Sequence, residues 1–260
     1  SANFDATVEN SGLEIDFRST NIQNKQVNWT TRFNVSVLKN KLVKFDGLEA
    51  AIGFRNLYVV GAPLTIAKLY HNLGVDPETG LYQFEDYNND GAITIDDKQW
   101  IQDTAPKFYG GLGNNITYKN WTLDVFLNFK KQKSTGDLFL ERSTPGTFVN
   151  QHVSALDRWQ QVGDEAHVQS YVINPGISNN RHYESSALYT DTSFIRLKTI
   201  SLNYDLPKDA LSGFNASIYL QGQNLFYVYT TKYASDPEQL TGGSWMPSLR
   251  QLTMGIQLGF

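Results

Sequence analysis

From residue 251 to residue 260, apolar and polar positions alternate without a fault. Leu252, Met254, Ile256, Leu258 and Phe260 fall on one face, and Gln251, Thr253, Gly255, Gln257 and Gly259 on the other. A period of two marks a β-strand with one apolar side. The signature recurs along the chain. Leu13, Ile15 and Phe17 alternate with Glu14, Asp16 and Arg18; after a polar turn from Asn21 to Lys25, Val27, Trp29, Thr31, Phe33, Val35 and Val37 share a face. The two runs read as a hairpin. Phe108, Gly110, Leu112, Asn114, Ile116 and Tyr118 share a face, Lys119-Asn120 turns, and Trp121, Leu123, Val125, Leu127 and Phe129 follow, with Phe126 the apolar exception on their polar side. Between Phe194 and Leu206 the phase slips: Ile195 and Leu197 agree, but Ile200, Leu202 and Tyr204 take the opposite phase, and a β-bulge near Lys198-Thr199 restores one face. Ala216, Ile218, Leu220 and Gly222 then oppose Ser217, Tyr219, Gln221 and Gln223. An ordinary strand has about 5–6 residues and a tilted membrane strand about 9–11; the arm that begins at Val27 is of the longer kind.

The connections carry less pattern. Residues 39–82 show no clean period, apart from a break at Gly61-Ala62-Pro63-Leu64 and a short strand within Ala67–Leu73. Lys131–Asp191 is a long insertion, and connections above about 12–15 residues are usually functional or disordered. Val149, Val153 and Leu156 have helical spacing, which predicts a short helix from about Phe148 to Gln161, and Asn174-Pro175-Gly176 reads as a turn.

Composition narrows the classes. Charged residues make up only 18% of the 260, yet no apolar run approaches the length of a membrane helix. A helical membrane protein is thereby excluded, whereas a membrane β-barrel, half of whose strand positions are polar, is not. The chain has no cysteine, so disulfides and thiolate metal sites are out. A net charge of −4 without basic clusters gives no nucleic-acid signal. No leader or lipidation signal is visible at Ser1, and the first residues read as the middle of something longer.

One stretch carries site chemistry. Asp86 to Asp97 fits the twelve-position calcium loop: Asp86, Asn88 and Asp90 at positions 1, 3 and 5, Gly91 at the sharp turn, the Ala92 carbonyl at 7, Ile93 at the apolar position 8, Thr94 at 9 and Asp97 at 12. Asp at 12 is shorter than the usual Glu, which weakens bidentate reach. The competing reading is a solvated acidic turn held by Asx hydrogen bonds. No incoming helix precedes the loop, so a full EF-hand is not expected, and a bound calcium would be structural, fixing a long loop between strands. The four histidines are scattered without ligand spacing, and adjacent Asp164 and Glu165 carry no separation of the glycosidase kind. Trp159, Tyr171, Tyr183 and Tyr189 in the long insertion are candidates to stack on sugar rings, although loop aromatics more often pack the loop itself.

Several short motifs, in order, resemble the C-terminal part of SusC-type TonB-dependent transporters: Asn10-Ser11-Gly12-Leu13-Glu14, the Asp86–Asp97 loop, Pro106-Lys107-Phe108-Tyr109-Gly110-Gly111, and Arg158-Trp159. Ser193-Phe194-Ile195-Arg196-Leu197-Lys198, Asn203-Tyr204-Asp205-Leu206-Pro207, Gln221-Gly222-Gln223-Asn224-Leu225-Phe226, Asp236-Pro237-Glu238 and the strand ending at Phe260 continue the series. The resemblance implies an all-β fold, part of an antiparallel 22-stranded barrel with a plugged lumen in the outer membrane of a Gram-negative bacterium. At about 25–30 residues per strand with its connection, residues 1–260 would supply roughly ten strands. The plug and the remaining N-terminal portion, which contacts the TonB complex, would lie outside this chain. The resemblance further implies import of oligosaccharides or peptides, a SusD-like lipoprotein lid, a dimer of such pairs, and no bond chemistry. Residues 131–191 would be extracellular, the turns at Asn21–Lys25 and Lys119-Asn120 periplasmic, and the terminal strand would close the barrel with its apolar face toward lipid. The rival from another class is a secreted, calcium-stabilised β-sandwich that binds glycans; a glycoside hydrolase is a third. Strand length and aromatic residues near strand ends favour the barrel.

Overall fold

A computed structural model describes residues 5–135, 150–172, 176–207, 215–230, 236–238 and 246–259. In chain order the strands are β1 (Ala6–Gln23), β2 (Val27–Phe45), β3 (Ile66–Leu69), β4 (Asn72–Val75), β5 (Tyr82–Phe84), β6 (Trp100–Asp103) and β7 (Phe108–Tyr118). They continue with β8 (Trp121–Lys131), β9 (Lys133–Ser134), β10 (Thr190–Asp191), β11 (Phe194–Asp205), β12 (Asn215–Tyr229) and β13 (Gln251–Gly259). Seven of them form one antiparallel sheet in the order β1-β2-β7-β8-β11-β12-β13, and three two-stranded pairs, β3–β6, β4–β5 and β9–β10, lie in the connections. Among the described residues the large sheet has seven strands, beside the roughly ten expected for the chain. The long connections consume the difference.

Each alternating stretch of the sequence is a strand of the large sheet, because directly paired residues in an antiparallel ladder share a face. One row runs Phe17, Phe33, Leu112, Leu127, Leu197, Phe226, and another Trp29, Ile116, Leu123, Leu202, Leu220, Met254. On the opposite face, Asp16, Asn34, Gly111, Asn128, Arg196 and Tyr227 form one row, and Thr20, Thr30, Asn115, Asp124, Ser201, Gln221 and Thr253 another. The apolar face stays unbroken across the phase slip because β11 shifts register between Leu197 and Thr199 against both neighbours, at the expected bulge. The polar-side exception, Phe126, lies over Gly111, where an added Cβ would come within 2.7 Å of its ring. Large and absent side chains alternate there, and the sheet face stays level.

Nothing among the described residues covers the apolar face. Leu252, Met254, Ile256 and Leu258 are each 65–78% exposed. Soluble proteins rarely leave so broad an apolar surface uncovered. From Trp121 to Phe129 the apolar band spans about 27 Å along the strand at ~3.4 Å per residue, roughly 20 Å after a tilt of 35–45°. Aromatics mark one of its ends: Tyr118, Trp121 and Tyr204 share a row, with the Trp121 and Tyr204 rings 4.5 Å apart. The outer edges of β1 and β13 are both unpaired among the described residues, so the sheet is not closed in this chain.

Because the large sheet is a meander, its connections alternate between two ends. Residues 24–26 and 119–120 turn at one end, where the Lys119 N–H donates to the Gln26 carbonyl and the Asp205 N–H to the Asn120 carbonyl, each at 2.9 Å. The described parts of the long connections, within 46–107, 132–193 and 230–250, lie at the other end. Most of the buried apolar side chains sit with them, among them Leu48, Leu69, Tyr70, Phe84 and Leu188. The expected helix from Phe148 to Gln161 is replaced by a 3-10 turn at Val153–Asp157, and a short α-helix, α1 (Gly176–His182), begins at the last residue of the expected turn, whose Asn174 and Pro175 lie outside the described residues. Residues 148 and 149 lie outside the described range.

Candidate functional site

The functional candidates converge on the end of the sheet that carries the long connections. The first two of these are stitched together. The backbone N–H of Tyr70 donates to the Glu184 carbonyl at 3.0 Å, that of Ser186 to Tyr70 at 2.9 Å, and that of Ser170 to Gly80 at 2.7 Å. Lys98 pairs with Glu184 at 2.5 Å, and the Arg181 guanidinium donates to the Ile93 carbonyl. His182 on α1 stacks on Tyr82 of β5 with ring centroids 3.9 Å apart and planes 6° from parallel. Burial pushes the His182 pKa down from 6.5 to about 4, and its Nδ1 has no hydrogen-bond partner among the described residues.

The calcium-like loop lies in this assembly, between β5 and β6. Asp86 accepts from the N–H of Asp90 at 3.2 Å and of Gly91 at 2.8 Å; Asn88 Oδ1 accepts from the Asp90 N–H at 3.0 Å; and Asp90 accepts from the Ala92 N–H at 2.8 Å. These bonds draw Asp86, Asn88 and Asp90 around one turn, with Gly91 in the left-handed region at φ 85°. Each oxygen that accepts one N–H keeps a second lone pair. Asp97 behaves differently. It is buried, and its carboxylate accepts from the Tyr87 N–H at 2.8 Å and the Thr94 N–H at 2.7 Å. Thr94 and Asp97 cap the 3-10 turn Ile95–Asp97 as a capping box. The Thr94 N–H foremost, then those of Tyr87 and Asn88, hold the Asp97 carboxyl below its usual range. Among the described residues no three carboxylate or imidazole groups converge on one point.

The four aromatic candidates lie in the connection 132–193. Trp159 joins two connections: its Nε1–H donates to the Pro77 carbonyl at 2.9 Å, and its ring lies against Gly80, where a Cβ would meet Cε3 at 2.4 Å. Tyr171 is 60% exposed, with the Arg158 guanidinium 5.7 Å from its ring centre. Tyr183 lies edge-on to His182, at 6.3 Å. Tyr189 follows the 3-10 turn Ser186–Leu188, just before β10. On the terminal strand, Leu252, Met254, Ile256 and Leu258 share the apolar face as expected, and Phe260 lies outside the described residues.

A group that the sequence pattern did not single out as a site stands at the root of the third connection. Arg196 on β11 is 1% exposed and points from the polar face, its guanidinium 5.1 Å from the Tyr227 ring centre and 5.8 Å from that of Phe194. It pairs with Asp236, 4% exposed, which also accepts from the Ser248 N–H at 2.9 Å and the Glu238 N–H at 3.0 Å. Burial works against the charge on Asp236, but those two N–H groups and the guanidinium outweigh it and keep its pKa below normal. Gln132 donates to the Pro237 carbonyl at 2.7 Å, and Glu238 meets Lys198 at 3.1 Å and Arg196 at 3.4 Å. The available signal was an arginine set between Ile195 and Leu197, where the neighbouring positions are apolar.

No protein-family model matches the chain. The curated relatives do. It is 27% identical over 97% of its length to TonB-dependent receptor P3 of Formosa agariphila, and 24% identical over 98% to TonB-dependent receptor SusC of Bacteroides thetaiotaomicron. The chain is related to TonB-dependent receptors of the SusC type. It spans 29% and 26% of those two relatives, under a third of each. Among solved structures, it superposes on the RagAB peptide transporter with a TM-score of 0.77 at 22% identity, covering 98% of this chain and 30% of that one. The RagAB peptide importer in the open-open state gives 0.78 at 22% identity, covering 29% of that chain. The sheet therefore has the fold of part of such a barrel, and it is open among the described residues.

Proposed function

We propose that this chain is the C-terminal part of the barrel wall of a TonB-dependent importer in a Gram-negative outer membrane. The observation that carries the reading is the apolar face, kept in register over seven strands and left uncovered by the described residues. A lipid bilayer is the partner that such a face fits. A secreted sandwich would need a second sheet on that face, and the described residues supply none. The polar face would line the lumen, the short turns would face the periplasm, and the long connections, residues 131–191 included, would face outward. On this reading the imported cargo is an oligosaccharide or a peptide, a SusD-like lipoprotein covers the outer mouth, such pairs dimerise, and TonB acts through the N-terminal portion. The barrel then moves its cargo without bond chemistry. For the Asp86–Asp97 loop the reading is a hard cation, calcium by preference, held by Asp86, Asn88, Asp90 and the Ala92 carbonyl, with Thr94 and Asp97 supporting the turn.

Fractionation of cells that produce the full-length protein tests the main reading. It should sediment with outer membranes and need detergent for release, and its deletion should abolish growth on the one glycan or peptide mixture it imports. Release in buffer alone would overturn the barrel. Growth unchanged on every such nutrient would overturn import.

A further inference from the structure

We infer that Asp236-Pro237-Glu238 is a fixed piece of the passage wall, and that Arg196 is the positioning residue that sets how far this connection reaches over the polar face. The inference rests on the reading of that face as the lumen. Three observations carry it. The segment lies over the row Asn34, Gly111, Asn128, Arg196, Tyr227: Arg196 pairs with Asp236, and Glu238 receives Lys198, Arg196 and, at 3.4 Å, the Asn128 amide. It is buried beyond what a surface connection needs, since Asp236 is 4% exposed and Pro237 is under 2%. Both backbone and side chain are held, the Pro237 carbonyl by the Gln132 side chain and the Asp236 carboxylate by the Ser248 N–H. A buried ion pair contributes little net stability, because both charges must be stripped of water, but breaking it leaves one charge stranded. Such a pair makes sense where one position of a segment has to be enforced. The charges balance locally, Arg196 and Lys198 against Asp236 and Glu238, so the segment lies on the wall without a net repulsion to lift it. The Tyr227 and Phe194 rings lie beside the guanidinium, with centres 5.1 and 5.8 Å from it.

The test uses the full-length protein, with Pro237→Cys as a reporter; the 260 residues contain no other cysteine, and any elsewhere are first removed. In purified, detergent-solubilised protein the buried thiol should react slowly with a maleimide. Arg196→Met or Asp236→Asn should speed that reaction by about tenfold or more, because the local opening equilibrium shifts once a buried charge loses its partner. Arg196→Lys should fall between, since it keeps the charge but not the fork. Folding of each variant is checked by heat-modifiable gel mobility. If Arg196→Met does not fold, Arg196→Lys and the exchange of the Ser248 and Glu238 amides carry the same test. The second arm places the cysteine at Asn34, in the row beneath, and applies maleimides on polymers of graded size to intact cells. Release of the segment should raise the largest size that reacts. An unchanged Pro237→Cys rate in a folded Arg196→Met protein overturns the lock, and an unchanged size limit overturns the role in the passage. Failure to find the protein in the outer membrane instead removes the transport reading, and the detergent measurement still decides the lock.

Discussion

His182 shows how a single residue can tie a long connection to solution conditions. Its ring is stacked on Tyr82 and buried, and its pKa of about 4 lies below the ordinary 6.5. The unfolded form therefore takes up the proton first, so the stability of this junction is full near neutral pH and falls as pH drops from about 7 toward 4. The gap corresponds to on the order of 3 kcal/mol, lost progressively over that window. His182→Phe should keep the stacking and remove this part of the pH dependence. Proteolysis of the connections across pH 7 to 4 would show it, and an identical profile for the two proteins would count against the assignment. The Asp86–Asp97 loop is also argued at this scale. If it takes calcium, Asp86→Asn with Asp90→Asn should weaken binding in calorimetry by tenfold or more, on the order of one lost charge-assisted contact per site. Asp97→Asn should act differently, through stability, because its carboxylate already serves three backbone N–H groups. Equal calcium affinity in the double variant and the parent would remove the cation.

At the scale of an element, β13 sets the clearest expectation. Ile256 pairs with Ile218 in the row of Trp121 and Tyr204, whereas Gln257 pairs with Ser217 on the polar face. A charge at the bilayer midplane costs roughly 2–4 kcal/mol and less toward an interface. Because that row lies at the aromatic end of the band, Ile256→Arg should cost only about 0–1 kcal/mol and reduce the folded barrel recovered from outer membranes modestly, while Gln257→Arg should be tolerated. The reverse order would mean that the two faces had been exchanged. The bulge in β11 belongs to the same account. One extra residue between Leu197 and Thr199 lets a strand with a broken alternation keep one apolar face. The alternation in sequence and the shift in register are two views of one constraint, the side-chain period of exactly two residues imposed by the pleat.

Across the whole molecule, the sheet and its connections do different work. The wall is thin, exposes apolar side chains on one face, and leaves both outer edges unpaired among the described residues. Unpaired edges recruit further strands, and in the transport reading those come from the rest of the barrel. Most of the buried apolar side chains are instead at the end where the three long connections meet. Added to intact cells, a protease should cut within residues 131–191 and spare the turns at 24–26 and 119–120, with fragment mapping as the readout. Cleavage of the short turns from outside would invert the orientation of the barrel.

The strands, their facing and the bulge were legible in the sequence because they rest on a local rule: neighbouring side chains of a strand point to opposite sides, and one side must be apolar. The acidic loop was legible for a similar reason, since all of its candidate ligands fall within twelve consecutive residues from Asp86 to Asp97. The connections were not. What holds them is contact between residues far apart, such as Arg196 with Asp236, 40 positions on, or the Trp159 indole with the Pro77 carbonyl, 82 positions back. Pairs of that kind leave no period and no spacing to read. Only the folded backbone brings them within reach, and only there do a buried arginine, a stacked histidine and a tryptophan seated over a glycine acquire their partners.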